Sequence, residues 1–214
     1  SADSTLTTTN SNIIFGNTVV GDASDDDLTI AIGNGIVQFV GTVGAGGGAN
    51  DVGAIAITGG LNLDAAITSA ASLSVTKASN LGASVTTSGV QTYGTNNADT
   101  TTISADVTLT TTNSNITMRS IDGAAGTEDL AFNTGSGAIT VNGDVTDIAI
   151  LTLTDSGGAT FNGSVDATTV TISDQNADDD TVIFNDTLTA TTLNVAGGVG
   201  VNDIDLELNG GGTI

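Results

Sequence analysis

Apolar and polar residues alternate along this chain in short runs. In Asp203-Ile204-Asp205-Leu206-Glu207-Leu208 the aliphatic side chains fall on one face and the carboxylates on the other. Leu28-Thr29-Ile30, Leu151-Thr152-Leu153, Val170-Thr171-Ile172 and Leu193-Asn194-Val195 keep the alternation, with Thr or Asn between the apolar residues. A period of two, broken by Gly, Asn and Asp, predicts short strands joined by tight turns. Val, Ile, Leu, Ala and Thr dominate, and these suit strands better than helices.

The strands recur. Val37-Gln38-Phe39-Val40-Gly41-Thr42-Val43, Ile139-Thr140-Val141-Asn142-Gly143-Asp144-Val145 and Ala159-Thr160-Phe161-Asn162-Gly163-Ser164-Val165 share one pattern, and Val182-Ile183-Phe184-Asn185-Asp186-Thr187-Leu188 is a variant. The anchors Phe15, Phe39 and Leu63 are spaced by 24, while Val141, Phe161, Phe184 and Leu208 are spaced by 20, 23 and 24. A helix-free period of this length predicts an all-β solenoid, in which each repeat is one coil and stacking joins the apolar faces into one core.

A longer unit overlies the short one. Residues 1–13 return at 104–116 with a single difference, Ser4 against Val107. The alternative architecture is a set of tandem antiparallel β-sandwich modules, whose size the long repeat matches. The short period favours the solenoid, because a sandwich has no reason to repeat every ~24 residues. The chain therefore reads as one continuous repeat segment over 1–214, with long repeats over 1–103 and 104–214. Neither end carries the polar cap of a free-standing solenoid, so it also reads as an excerpt of a longer chain.

Charge narrows the function. There are 24 acidic residues against two basic ones, Lys77 and Arg119, giving a net charge of −22. Such a field repels nucleic acid and anionic membrane surfaces. No apolar run approaches the ~18 residues of a membrane span. The chain lacks His and Cys, which removes the commonest general base and the thiol nucleophile. A non-enzyme that requires no cofactor is expected.

Calcium is the best chemical candidate. Asp174, Asn176, Asp178 and Asp180 place oxygen donors at alternate positions, like the start of an EF-hand loop, though Asp179 and Asn185 stand where that motif has Gly and Glu. Asp25-Asp26-Asp27 is a similar loop, with Asp25 and Asp27 as its candidate ligands. Gly197 to Asp205 resembles one solitary calcium-binding nonapeptide. The competing reading is a set of solvated acidic turns. The threonine runs 7–9, 100–102 and 110–112 read as solvent-facing strand residues, with an ordered hydroxyl face as the alternative. Tyr93 reads as a core or corner residue, with sugar stacking as the alternative. Lys77 and Arg119 read as surface charges beside carboxylates.

Val85-Thr86-Thr87-Ser88-Gly89-Val90-Gln91-Thr92-Tyr93-Gly94, followed by Val107-Thr108-Leu109-Thr110 and Asn115-Ile116, resembles the TTG-x-QTY, VTL and NITF repeat. That repeat belongs to giant filamentous-haemagglutinin-like and autotransporter-type bacterial surface proteins. The likeness is strongest over 85–116 and looser over the rest. It implies a right-handed parallel β-helix outside a Gram-negative cell, a part in adhesion, biofilm or filament building, and no catalytic residues. Met118-Arg119 departs from the aromatic-Gly pattern that Phe15-Gly16 keeps, which puts the local turn in question. The expected role is a structural stalk or filament segment. Alternatives are a self-assembling filament or surface-layer subunit, and a module that binds a glycan or host protein directly. The expected partners are other copies, neighbouring repeats of the same chain, and surface glycans.

Overall fold

β-Branched and aliphatic residues at every second position can bury one side of a strand only if another strand covers it. The computed structural model shows how this chain does so. It describes residues 3–21, 26–44, 52–173, 180–196 and 204–214, which hold strands and no helix. Strands pair in parallel, each with the strand one coil earlier and one coil later, forming a right-handed parallel β-helix.

The registers trace three ladders of inward residues, one per face. The first runs Leu6, Ile30, Ile57, Val75, Tyr93, Met118, Val141, Phe161, Phe184, Leu208. The second runs Ile13, Val37, Leu61, Ser79, Thr101, Ile121, Val145, Val165, Leu188, Gly212. The third runs Val19, Val43, Ile67, Val85, Leu109, Phe132, Leu153, Ile172, Val195. The chain visits first, second and third face in turn, so the bore is triangular and its core continuous. Rings stack along the axis at two places, Phe15 on Phe39 at 4.9 Å and Phe161 on Phe184 at 5.0 Å between centroids.

The anchors that gave the period lie on two different faces. Phe15, Phe39 and Leu63 are partners on the second face, whereas Val141, Phe161, Phe184 and Leu208 belong to the first. Coil length also varies more than the anchors suggest, from 27 residues between Ile30 and Ile57 to 18 between Val75 and Tyr93.

The long repeat is out of phase with the coil. Leu6 and its counterpart Leu109 stand on the first and third faces respectively. The two copies nevertheless build the same corner. Asn10 and Asn113 both take left-handed backbone, with φ of 57° and 53°. Their Oδ1 atoms accept the N–H of Asn34 at 2.8 Å and of Ser136 at 3.1 Å, one coil on. Asn12 and Asn115 do the same for Ile36 and Ala138. Short polar side chains tolerate left-handed backbone and can satisfy a neighbouring N–H that the turn leaves without a strand partner. The corner is thus a local module, independent of which faces it joins.

Farther along, another corner is tied side chain to side chain. Asn162, Asn185 and Asn209 each donate Nδ2 to the Oδ1 of the asparagine one coil earlier, beginning at Asn142. Met118 fills its rung of the first ladder completely buried, and Arg119 turns onto the neighbouring loop, donating to the Thr95 carbonyl at 3.1 Å. The turn at Met118-Arg119 therefore keeps the coil intact without the aromatic-Gly pair.

Candidate functional site

The expected calcium ligands divide in two. Asp174, Asn176, Asp178 and Asp25 lie outside the described residues, as does most of the nonapeptide-like stretch. Asp27 and Asp180 lie within them. The Asp27 carboxylate accepts the Ala54 N–H at 2.7 Å, and the Asp27 N–H donates to Asp3 Oδ1 at 3.1 Å. Asp27 thus links one coil to the next. Asp106 repeats this toward Asp129, and Asp144 toward Ser164. Asp180 opens the strand Asp180–Phe184 and is nearly buried. Among the described residues no three His, Cys, Asp or Glu side chains cluster as metal ligands.

At Glu128 and Asp99 the hydrogen-bond donors also lower the carboxyl below its usual range. The Ala125 N–H, with the Thr127 N–H and hydroxyl, keeps the Glu128 carboxyl below the usual range against a smaller opposing effect of burial. Burial pushes the Asp99 carboxyl up, but the N–H groups of Asn96 and Thr95, the Asn96 amide and the Lys77 charge outweigh it and bring it down. A carboxyl lowered in the folded state favours folding above its unfolded pKa, and that contribution fades as pH falls through the folded value. Replacing Glu128 with Gln is therefore expected to narrow the drop in melting temperature between neutral and acid pH. Parallel melts of both proteins across that range check it, and superimposable profiles would mean that the turn at Glu128 does not respond to charge.

Tyr93 lies wholly within the core. Its hydroxyl donates to Gln91 Oε1 at 3.0 Å, and Gln91 Nε2 donates to the Thr110 carbonyl at 2.9 Å and to Thr87 Oγ1 at 3.2 Å. Burial pushes the phenol well above its ordinary pKa. The threonine runs do not form one surface, since Thr101 is buried and the Thr8 and Thr111 hydroxyls donate to corner carbonyls. The hydroxyl row lies elsewhere, on the outside of the first face. There Ser74, Thr92, Thr117, Thr140 and Thr160 are consecutive register partners. Its signal in the sequence is the polar residue just before each inward anchor.

The most site-like feature is a groove of about 490 Å³ on the outside of the second face. Ile14, Gln38, Asn62 and Asn80 are successive partners along it. Beside them Ile36 pairs with Gly60, next to Ala78 and Lys77. Gly60 lets Ile36 and the Ala78 carbonyl approach closely, since a Cβ there would sit 3.1 Å from that carbonyl and 3.4 Å from Ile36 Cγ1. Asp64, beyond the rim, accepts from Gln38 Nε2 at 2.6 Å and Asn62 Nδ2 at 3.0 Å, and Asn62 Oδ1 accepts from Asn80 Nδ2 at 2.7 Å. The amide row is therefore held in fixed orientation. No sequence pattern marked this groove, because its residues come from four coils and meet only through the register.

Protein-family models, curated proteins and solved structures were all compared with the chain, and none matches.

Proposed function

We propose that this chain is a non-catalytic stalk or filament segment of an extracellular bacterial adhesin or surface fibre. The observation that carries the reading is the continuity of the three inward ladders, bonded coil to coil by strands and by corner side chains. A stack of this kind transmits load along its axis through many parallel hydrogen bonds and holds a distal function away from its anchor. The acidic exterior keeps neighbouring rods apart in solution. The likeness of residues 85–116 to filamentous-haemagglutinin-like repeats supports placement at a cell surface, with neighbouring repeats of the same chain as the natural partners.

The test is replacement. The chain is set between a surface anchor and a binding tip, then exchanged for a Gly/Ser linker of equal residue number. A stalk predicts that the flexible version loses tip-dependent adhesion under flow while keeping the tip's affinity in solution. Equal adhesion under flow would overturn the reading.

Calcium is proposed as a stabiliser through the acidic stretch 174–180. Millimolar calcium is then expected to raise the melting temperature, and excess chelator to reverse the rise, since a ligand of the folded state stabilises it by mass action. Melting followed by circular dichroism checks this, and indifference to calcium leaves the acidic loops with a solubility role.

A further inference from the structure

We propose that the second-face groove is a binding site for an extended saccharide that carries carboxylates, of the uronic acid class. Three features of the groove specify that occupant.

The first is charge. The chain has 24 acidic residues, yet none lines the groove, while one of its two cations, Lys77, does. Lys77 is half-buried and forms no close ion pair among the described residues, although its field reaches Asp99. The Asp64 carboxylate at the rim is taken up by Gln38 and Asn62, so among the described residues Lys77 is the one charged side chain lining the groove, and an ammonium there suits an anionic group on a ligand.

The second is the amide row. Asp64 fixes Gln38 and Asn62, and Asn62 fixes Asn80, which leaves Gln38 Oε1 and Asn80 Oδ1 available as acceptors. Pre-oriented amides recognise hydroxyl groups with little loss of side-chain freedom. The two available acceptors lie two strand spacings apart, about 9.6 Å, close to the repeat of two pyranose units in an extended chain.

The third is the floor. Ile14 is 65% exposed and Ile36 45% exposed, and both line this one groove. Between them and Ala78, Gly60 adds no side chain to the floor, where a Cβ would sit 3.1 Å from the Ala78 carbonyl. Apolar patches rimmed by convergent polar groups mark binding sites, and the C–H face of a sugar ring fits such a floor.

This site is independent of the stalk reading, because a rod can carry load whether or not its flank is occupied. The experiment titrates the intact chain by NMR or calorimetry with oligogalacturonate, oligomannuronate and hyaluronan fragments, each beside its carboxyl methyl ester. At least one acid is expected to bind about tenfold more tightly than its ester, the value of one desolvated ion pair near 1.4 kcal/mol. Lys77→Gln is expected to remove that difference and leave residual affinity. Ala78→Leu, at an exposed position, is expected to abolish binding of both forms while the melting temperature stays within a few degrees. No binding to any of the three acids would overturn the proposal, as would equal affinity for acid and ester or insensitivity to Lys77→Gln.

Discussion

Replacing Tyr93 with Ala is expected to destabilise the protein by about 4 kcal/mol, in the range of large-to-small changes at fully buried aromatic sites. The phenol ring fills the first ladder between Val75 and Met118, and its removal leaves a void in a rigid stack. The same change strips Gln91 Oε1 of its donor. Tyr93→Phe separates the two effects. It keeps the ring and removes only the hydroxyl, so its cost is expected to be about 1–2 kcal/mol, that of one unsatisfied buried acceptor. Urea melts of both variants measure the ratio. Equal costs would mean that the Tyr93–Gln91 bond rather than the ring holds this rung.

Gly33→Ala and Gly135→Ala are expected to destabilise by matching amounts, about 2 kcal/mol each, from left-handed backbone strain added to a steric conflict. Both glycines have positive φ, at 60° and 56°, and a Cβ on either would run into the Oδ1 of the asparagine one coil below, Asn10 or Asn113. The two glycines stand on different corners of the triangle, so agreement between the variants tests whether the corner is a transferable module. A large difference would show that the adjoining faces, not the Asn-Gly pair, set the cost. Hydrogen exchange at Asn34 and Ser136 gives a local reading of the same point, since their N–H groups rest on those asparagines.

Much of this architecture is legible in the sequence, and for a physical reason. Strand period, inward anchors and turn residues are local properties, so the alternation at Ile204, Leu206 and Leu208 and the spacing from Phe161 to Phe184 carry directly into rungs. The expectation of a parallel β-helix holds in the structure for the same reason. What local pattern does not carry is phase. The near-exact repeat of residues 1–13 at 104–116 suggests equivalent positions, yet Leu6 and Leu109 face different sides of the bore, because intervening coils of 18 residues shift the count. The second-face groove was invisible for that reason too. Ile14, Gln38, Asn62 and Asn80 are neighbours only once coil lengths are known. The buried Gln91 was equally hidden, since an amide on an inward position reads as a break in the pattern until its partners Tyr93, Thr87 and Thr110 surround it. Asp27, a candidate metal ligand by its spacing, also has a role the spacing does not show, since its carboxylate accepts the Ala54 N–H of the next coil.

A stalk of stacked coils is expected to bear load as successive units. Single-molecule pulling on the two ends of the chain tests it most directly. Each coil of 18 to 27 residues is expected to peel off separately, giving a ladder of roughly 60–95 Å increments at the extended length of a polypeptide. A single rupture that releases the whole chain at once, or extension at negligible force, would contradict the account.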